Sequence, residues 1–286
     1  MRIIIILIVF WGSCKTIYAQ LEPQYTLYWN NFSVYNPAAT AFFGKHYTAI
    51  NGRQQWKGLE GAPITTSLLY DRKLDVIHGG IGLNYYYDVI GLITSNKINI
   101  NYSYQLRFDK NRMLNFGIAG GFYRMNLDGS RFVARDLNDP SIPKGGTETK
   151  FNANFGVMYQ SDHWLLGLNS TQLTKPYFKK LKLRSEPHYY FSCMFRTNLT
   201  GHLEIKPGVL LKTTAEIGQL DVNLLFTFKK RIWAGITYRL DNTTAYMGGV
   251  DINGKYRIGY AYDYTPSILS KGFFGSHEII FAFMVN

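Results

Sequence analysis

Few residues of this 286-residue chain have the types and spacing that metal binding or nucleophilic catalysis requires. The six histidines show neither His-x-His nor His-x-x-x-His spacing, and the two cysteines are far apart, so the ligand pattern of a zinc site is missing. The sequence also contains no Gly-x-Ser-x-Gly motif and no glycine-rich phosphate loop. These observations predict no metal site, no cofactor and no nucleophile.

One set of residues could support acid–base chemistry. His277 and Glu278 follow each other on one predicted strand, and Asp263 lies on the predicted strand before it. The alternative is a buried polar network that braces the fold, and this role suits the set better. We therefore expect no catalytic residue and a protein that is not an enzyme.

The segment from Ile98 to Phe108 shows the periodicity that organises the chain. Apolar and polar residues alternate over all eleven positions, from Ile-Asn-Ile-Asn to Gln-Leu-Arg-Phe. Such alternation predicts a β-strand with one apolar and one polar face. Its length suits a tilted strand that crosses a bilayer, with its polar side chains in a lumen. A soluble β-sandwich could contain the same strand. Whether the pattern repeats along the chain distinguishes a barrel from a sandwich.

The pattern recurs from residue 46 to the end of the chain and predicts fourteen strands. The predicted strands are 46–56, 63–71, 79–88, 92–108, 112–124, 149–160, 163–172, 187–198, 202–213, 218–228, 231–240, 243–252, 255–264 and 276–285. An Arg that faces lipid at mid-bilayer costs about 2–4 kcal/mol, so the polar set of each strand should face inward.

The lengths of the connections between the predicted strands alternate. Those after even-numbered strands are mostly short, as at Lys229-Lys230 and Asn253-Gly254, whereas residues 125–148, 173–186 and 265–275 form long loops. Short turns at one rim and long loops at the other are the layout of an outer-membrane barrel, with the long loops extracellular. The sequence therefore predicts an all-β fold: a 14-stranded antiparallel transmembrane outer-membrane β-barrel.

Composition and the first residues agree with export to the outer membrane. Aromatic residues make up 16% of the chain although the mean hydropathy is only −0.13, which suits a barrel with a polar interior better than a helical membrane protein. Met1–Ala19 reads as a signal peptide, since Arg2 precedes a short apolar run. The net charge of +12 favours anionic lipid or an acidic partner, and we expect no nucleic-acid partner for an exported chain.

The chain then divides into a signal peptide (1–19), an aromatic non-strand segment (20–44) and a barrel (45–286). The segment 20–44 ends in Asn36-Pro37-Ala38-Ala39, a turn or helix-start signal, and should pack on or inside the barrel. Charged residues on the polar strand faces should either fill the lumen or line a pore, and filling is the favoured arrangement. Without the signal peptide only Cys193 remains, so no intramolecular disulfide is expected.

A set of short motifs spans nearly the whole chain. It resembles the PorP/SprF family in order and approximate spacing, although Ala-Pro-Ile replaces a Gly-Pro-Pro-like run at Pro63 and Ala-Thr-Ala follows Pro37-Ala38 in place of an Ala-Tyr-Ala-Gly-like run. The matching residues are Tyr35, Asn36, Pro37, Arg53, Gln55, Trp56, Gly61, Pro63, Asp88, Gly91, Tyr262, Asp263, Gly275, His277 and Glu278. The resemblance implies a Bacteroidetes outer-membrane barrel of the type IX secretion system, tied to secretion, gliding or surface adhesins. It also implies partners: secreted clients with a type IX C-terminal signal domain and, for some members, periplasmic peptidoglycan-binding subunits.

Two long loops are candidate partner-binding surfaces. An acidic partner or lipopolysaccharide phosphates would suit their basic and aromatic residues, and a solvated loop is the alternative. The candidates are Arg131 and Arg135 in the first loop and Lys175, Tyr177, Phe178, Lys179, Lys180, Lys182 and Arg184 in the second.

Three functions follow from these observations. The favoured one is a non-enzymatic type IX accessory barrel that supports secretion or surface attachment of a client protein. A general porin or small-solute transporter is the alternative, because the same periodicity would serve it. An outer-membrane enzyme is the third, and it lacks a visible nucleophile.

Overall fold

The protein is described here from a computed structural model. Residues 22–131, 145–214, 216–266 and 274–285 are described. The predicted signal peptide lies outside these ranges.

The segment that precedes the first strand forms three short helical turns. They are a 3-10 turn at Tyr28–Asn30, helix α1 at Phe32–Tyr35 and a 3-10 turn at Pro37–Ala39. Pro37 opens the last of these, at a position where a helical turn does not need a backbone N–H. Two further 3-10 turns lie in connections, at Asp75–Ile77 and Gly129–Arg131. No helix of the described residues is both long enough and apolar enough to cross a membrane.

Seventeen strands are present in the described residues. They are β1 (His46–Gln54), β2 (Ile64–Leu74), β3 (Gly79–Ile90), β4 (Ile93–Arg107), β5 (Met113–Leu127), β6 (Gly146–Gln160), β7 (Trp164–Thr171), β8 (Tyr177–Phe178), β9 (Leu183–Arg184), β10 (His188–Phe195), β11 (Thr197–Thr200), β12 (Leu203–Thr213), β13 (Gly218–Phe228), β14 (Ile232–Arg239), β15 (Thr243–Ile252), β16 (Tyr256–Tyr264) and β17 (Ser276–Val285).

Fourteen of these strands close into an antiparallel barrel. The first strand, β1, pairs with both β2 and the last strand, β17, and β10 pairs with both β7 and β12. The two-residue strands β8 and β9 pair with each other, and β11 pairs with β12 at the rim. The prediction of a 14-stranded antiparallel barrel is confirmed.

Side chains alternate between the two faces of the barrel wall as the sequence predicts. On β4, Ile98 and Ile100 are 45% and 67% exposed, whereas Asn99 and Asn101 are buried in the lumen. On β17, Ile279 and Phe281 are exposed and Glu278 and Ile280 are buried. An apolar outer face and a polar inner face are what a lipid-embedded barrel requires.

The connections at one rim of the barrel are mostly shorter than those at the other. The short-turn rim carries residues 75–78, 108–112, 161–163, 196–202, 229–231 and 253–255. The long-loop rim carries 55–63, 91–92, 172–187 and 240–242, together with the described residues 128–131, 145, 214, 216–217, 265–266 and 274–275. Strands β5 and β6 pair as far as Leu127 and Gly146, beyond the predicted ends at 124 and 149.

Candidate functional site

Residues 22–45, which we call the plug, run through the barrel lumen. Their aromatic side chains are buried, apart from the partly buried Phe42 and Phe43, and they pack against one another and against the wall. Many of these contacts are edge-on, as at Trp29 and Trp233, whose ring centroids are 4.9 Å apart. Fully burying one large apolar side chain contributes roughly 1.5–3 kcal/mol. The plug therefore packs against apolar side chains of the inner wall, among them Met158, Leu225 and Ile280, and forms an apolar core with them inside a largely polar lumen. The buried plug residues of this apolar core are Tyr25, Leu27, Tyr28, Trp29, Phe32, Tyr35, Ala38 and Ala39.

The Tyr35-Asn36-Pro37 motif sits against strands β5, β6 and β7. The Asn36 side chain donates to the Val157 carbonyl oxygen at 3.2 Å and accepts from the Ala38 backbone N–H at 2.9 Å. Two glycines make this approach possible, because a methyl group on Gly117 would overlap the backbone at Ala38 and one on Gly156 would overlap the Asn36 side chain. The motif thus holds the plug against the wall at Gly117 and Gly156, where the absence of a side chain allows close contact.

A buried charge cluster, which we call the clamp, holds the start of the plug. Glu278 Oε2 accepts from the Thr26 backbone N–H at 2.6 Å, and Glu278 Oε1 accepts from the Leu27 N–H at 3.1 Å. The Thr26 hydroxyl donates to Asp263 at 2.7 Å. Arg53 bridges both acids, at 2.7 Å from Asp263 and 3.0 Å from Glu278, with its side chain 1% exposed. Three motif residues from β1, β16 and β17 therefore bind the plug where the barrel closes.

The charge cluster continues along the wall from Asp263. Arg239 lies 3.2 Å from both Asp263 and Asp221, and Lys212 lies 3.7 Å from Asp221. The side chains of these residues are almost fully buried. Buried charges persist only when they are paired and hydrogen-bonded, which explains why acids and bases alternate here.

The plug meets the opposite wall through Glu22. The Lys97 ammonium is 2.6 Å from the Glu22 carboxylate and lies over the Tyr123 ring, and the Gln172 side-chain amide donates to the same carboxylate. Asp88, a motif residue nearby on β3, accepts from the Thr65 hydroxyl at 2.5 Å. Burial raises the pKa of the plug phenols Tyr25, Tyr28 and Tyr35, so they stay protonated. The contacts with charged wall residues thus lie at the start of the plug, and the apolar core follows them.

Most of the remaining motif residues shape the long-loop rim. Gly91 donates its backbone N–H to the Gly61 carbonyl oxygen at 2.9 Å, and Gln55 donates to the Pro63 carbonyl oxygen at 2.9 Å. Gly61, Gly91 and Gly275 have positive φ angles, which glycine adopts without strain. The Trp56 N–H donates to the Ser276 hydroxyl, and Gly275 accepts from the Lys57 N–H at 2.8 Å. These contacts join the first and last connections of the barrel. The residues concerned are Gln55, Trp56, Gly61, Pro63, Gly91 and Gly275.

His277 does not join Glu278 and Asp263 in the lumen. Alternation on β17 places it on the opposite face, where its Nδ1 is 2.7 Å from the Tyr260 hydroxyl and its ring lies against Tyr262. The three residues that could have formed an acid–base set are therefore divided between two faces of the wall. Within the described ranges, no three His, Cys, Asp or Glu side chains form a group suited to a metal ion.

The loop 172–187, which we call the lid, folds over the long-loop end of the lumen. Phe178 is buried edge-on against Tyr123 at 5.1 Å, in a cluster with Leu181 and Met125. The Lys180 backbone N–H donates to the Glu148 carboxylate. Phe178 therefore anchors the lid and is not available to a partner, because an aromatic side chain gains more by covering the apolar cluster than by facing water.

The charged residues of the predicted loop surface that lie in the lid remain exposed. Arg184 lies over the exposed Tyr177 ring at 5.4 Å. The exposed cations of the lid are Lys175, Lys179, Lys180, Lys182 and Arg184. Arg131 ends a 3-10 turn at the edge of the described residues, and Arg135 lies outside them.

Sequence reasoning did not identify Thr26, Gly117, Gly156 or Lys97 as parts of the site. Thr26 and Lys97 act through partners more than 70 residues away, which no local pattern reveals. The glycines of β5 and β6 did carry a signal, because a glycine inside a strand often marks the close approach of another backbone.

Comparison with known proteins supplies the family. The model of the type IX secretion system membrane protein PorP/SprF matches residues 17–283. The chain belongs to the PorP/SprF family. The resemblance predicted from the motifs is confirmed, and the chain is an outer-membrane protein with a secretion-related role. No curated protein sequence matches it.

Solved structures agree with the fold. The Pseudomonas putida toluene transporter TodX matches with a TM-score of 0.53 and 10% identity over 90% of this chain and 94% of that one. The Ralstonia pickettii toluene transporter TbuX matches with a TM-score of 0.52 and 9% identity, over 87% and 91% of the two chains. The Acinetobacter baumannii protein Omp33 matches with a TM-score of 0.51 and 7% identity, over 84% and 98%. These are outer-membrane barrels, and at such identities the likeness concerns the fold alone.

Proposed function

We propose that this PorP/SprF protein is a non-enzymatic barrel that supports the secretion or surface attachment of client proteins carrying a type IX C-terminal signal domain. The observation that carries the proposal is the plug, which is held in the lumen by the clamp and by an aromatic core. A lumen filled in this way suits an anchoring scaffold better than a conduit. Signal-peptide export, with the long-loop rim extracellular and the short-turn rim periplasmic, belongs to the same proposal.

The client contact is proposed for the long-loop rim. The lid presents five exposed cations on a backbone that Phe178 and Leu181 anchor, so its charged surface is presented without a large ordering cost. Acidic patches of a client and lipopolysaccharide phosphates are the two chemistries that such a surface would bind. Periplasmic peptidoglycan-binding subunits of the secretion system would meet the opposite rim.

The test changes the lid charge without removing its anchor. Replacing Lys179, Lys180 and Lys182 with Gln keeps Phe178 and Leu181 in place, so the barrel should remain inserted. Surface retention of the client, measured by blotting cell and medium fractions, should fall several-fold. A control that removes two cations from the short-turn rim, Lys110→Gln with Lys255→Gln, should leave display unchanged. Full client display by the triple variant, at normal barrel abundance, would place the contact elsewhere.

Small-solute transport is the second candidate, and the observation that favours it is the similarity to transporter barrels. Conductance in planar bilayers separates the two functions. A scaffold with a held plug should show no steady conductance, whereas an open channel would show single-channel steps in the unmodified protein.

A further inference from the structure

At the short-turn rim, the lumen beyond the plug opens into a cavity of about 410 Å³. The plug supplies its apolar surface through Trp29, Phe32, Phe42 and Phe43. These rings are braced, since Phe42 packs edge-on against both Phe32 and Phe43. The volume falls in the range of binding pockets, roughly 300–1,000 Å³. We call this cavity the vestibule.

The carboxylates that line the vestibule are already neutralised. Glu204 lies 2.7 Å from the Lys206 ammonium, and Asp251 lies 2.6 Å from Arg257. An incoming ligand therefore meets no unpaired acid among the described lining residues.

Two cations at the same mouth have no such partner in the part of the chain that the structure describes. Arg196 donates to the backbone carbonyl oxygens of Asp162 at 2.5 Å and Ser161 at 2.8 Å, which orients its guanidinium without neutralising it. Lys230 is exposed and makes no ion pair within the described residues. The vestibule thus combines an aromatic surface with an excess of positive charge at its mouth.

The turn that carries Lys230 has residues that its backbone geometry does not favour. Lys229 and Lys230 have φ angles of 50° and 54° between Phe228 and Arg231, the geometry of a type I′ turn. Such a turn favours Asn-Gly, because both central residues need positive φ. The turn at Asn253-Gly254 of the same rim has the preferred residues. Two lysines in a conformation that disfavours them point to a role for their charges.

A second cavity of about 370 Å³ shares part of this lining and extends the site along the rim. Arg196, Glu204, Thr227 and Lys230 line both cavities. The second cavity is polar and adds Lys229, His202 and Asp162, whose carboxylate accepts from the Asn111 side-chain amide at 2.5 Å. Across the two linings the Lys and Arg side chains still outnumber the Asp and Glu side chains. The combined surface is elongated, apolar at one end and basic at the other, and it suits an extended peptide better than a compact solute.

We propose that the vestibule and its basic mouth bind an acidic, extended segment of a periplasmic protein. One bulky apolar side chain of the segment occupies the aromatic surface, and its carboxylates lie against Arg196, Lys229 and Lys230. The plug closes the lumen behind this site, so a bound segment docks there and does not pass through. The proposal goes beyond client display at the other rim and rests only on the orientation proposed above.

The test measures peptide binding to the full-length barrel in phosphatidylcholine nanodiscs. The probe is the peptide Gly-Glu-Asp-Phe-Glu-Asp-Gly, and calorimetry should give saturable binding that weakens as salt is added. A peptide with Ser in place of Phe, and one with Gln and Asn in place of the acids, should each bind at least tenfold more weakly.

The decisive variant is Lys229→Asn with Lys230→Gly. It installs the residues that the turn geometry prefers, so the barrel should fold at least as well, yet binding should weaken at least tenfold. Lys255→Ala removes a cation from the neighbouring turn and should leave binding unchanged.

Equal binding by the double variant, or no saturation at millimolar peptide, would overturn the proposal. Binding of dodecanoate without binding of the peptide would also overturn it, because the vestibule would then hold an anionic amphiphile. Lid variants that lose client display should keep peptide binding, so failure of either proposal is visible separately.

Discussion

Removal of the Arg53 side chain tests directly whether the clamp holds the plug. Arg53 is buried and contacts the carboxylates of Asp263 and Glu278 at 2.7 and 3.0 Å. Removing one partner of a buried ion pair costs about 3–5 kcal/mol, because the other charge is left uncompensated. Arg239 lies 3.2 Å from Asp263 and compensates part of this loss. We therefore expect Arg53→Ala to lower the free energy of unfolding by about 3 kcal/mol, the lower end of that range.

The measurement is urea unfolding of the purified barrel, followed by gel heat-modifiability and by tryptophan fluorescence. A double-mutant cycle with Glu278→Gln isolates the ion pair, because glutamine removes the charge and keeps one acceptor oxygen. The Thr26 and Leu27 amides donate to different oxygens of Glu278, so one of them loses its acceptor in the Gln variant. That cost is present with and without Arg53 and cancels in the cycle. In the Glu278→Gln background, Arg53→Ala should cost less by at least about 1 kcal/mol, a coupling typical of residues in direct contact. Planar-bilayer recordings of Arg53→Ala should also show conductance steps that the unmodified barrel lacks, since a released plug opens the lumen.

Arg231→Ala is the matched control, because Arg231 lies exposed in a turn of the short-turn rim. It should change neither stability nor conductance. A loss below about 1 kcal/mol for Arg53→Ala would be that of a solvent-exposed pair and would refute the buried clamp. The same loss with and without Glu278 would show that the two side chains are not coupled.

Three further results are expected. A cysteine at Lys180 should react with impermeant maleimide on intact cells, whereas one at Asn253 should react only after membrane disruption; the reverse pattern would invert the proposed orientation. Phe281→Lys places a cation on the lipid face at a cost of about 2–4 kcal/mol near mid-bilayer, so heat-modifiable barrel should fall sharply, and an unchanged yield would contradict the assigned face. Gly117→Ala should displace the plug and destabilise the barrel by about 1–3 kcal/mol, as overpacking does, while Gly248→Ala, whose added methyl would meet the Trp233 carbonyl oxygen at 3.5 Å, should be tolerated. Equal unfolding curves for the two alanine variants would show that the plug does not press on the wall.

Much of the fold could be predicted from the sequence because its cause is local. Lipid favours apolar side chains and the lumen favours polar ones, at alternate positions of a strand. The sequence of each strand therefore shows which of its faces is turned to lipid and which to the lumen. Turn geometry is equally local. Asn253-Gly254 predicts a hairpin because both residues tolerate a positive φ angle. Strand count and barrel class could therefore be inferred before any contact was known, whereas the family was implied by the resemblance of the motifs.

The tertiary structure decided where the plug goes and what the motif residues do. Thr26 and Glu278 are 252 positions apart and meet only because the barrel closes, so no periodicity could join them. Phe178 lies in a loop whose sequence predicts an exposed surface. It is nevertheless buried, because it packs against the apolar side chains of Tyr123 and Met125. Contacts of this kind depend on which surfaces the closed barrel brings together, and a linear pattern records only what each residue's immediate neighbours require.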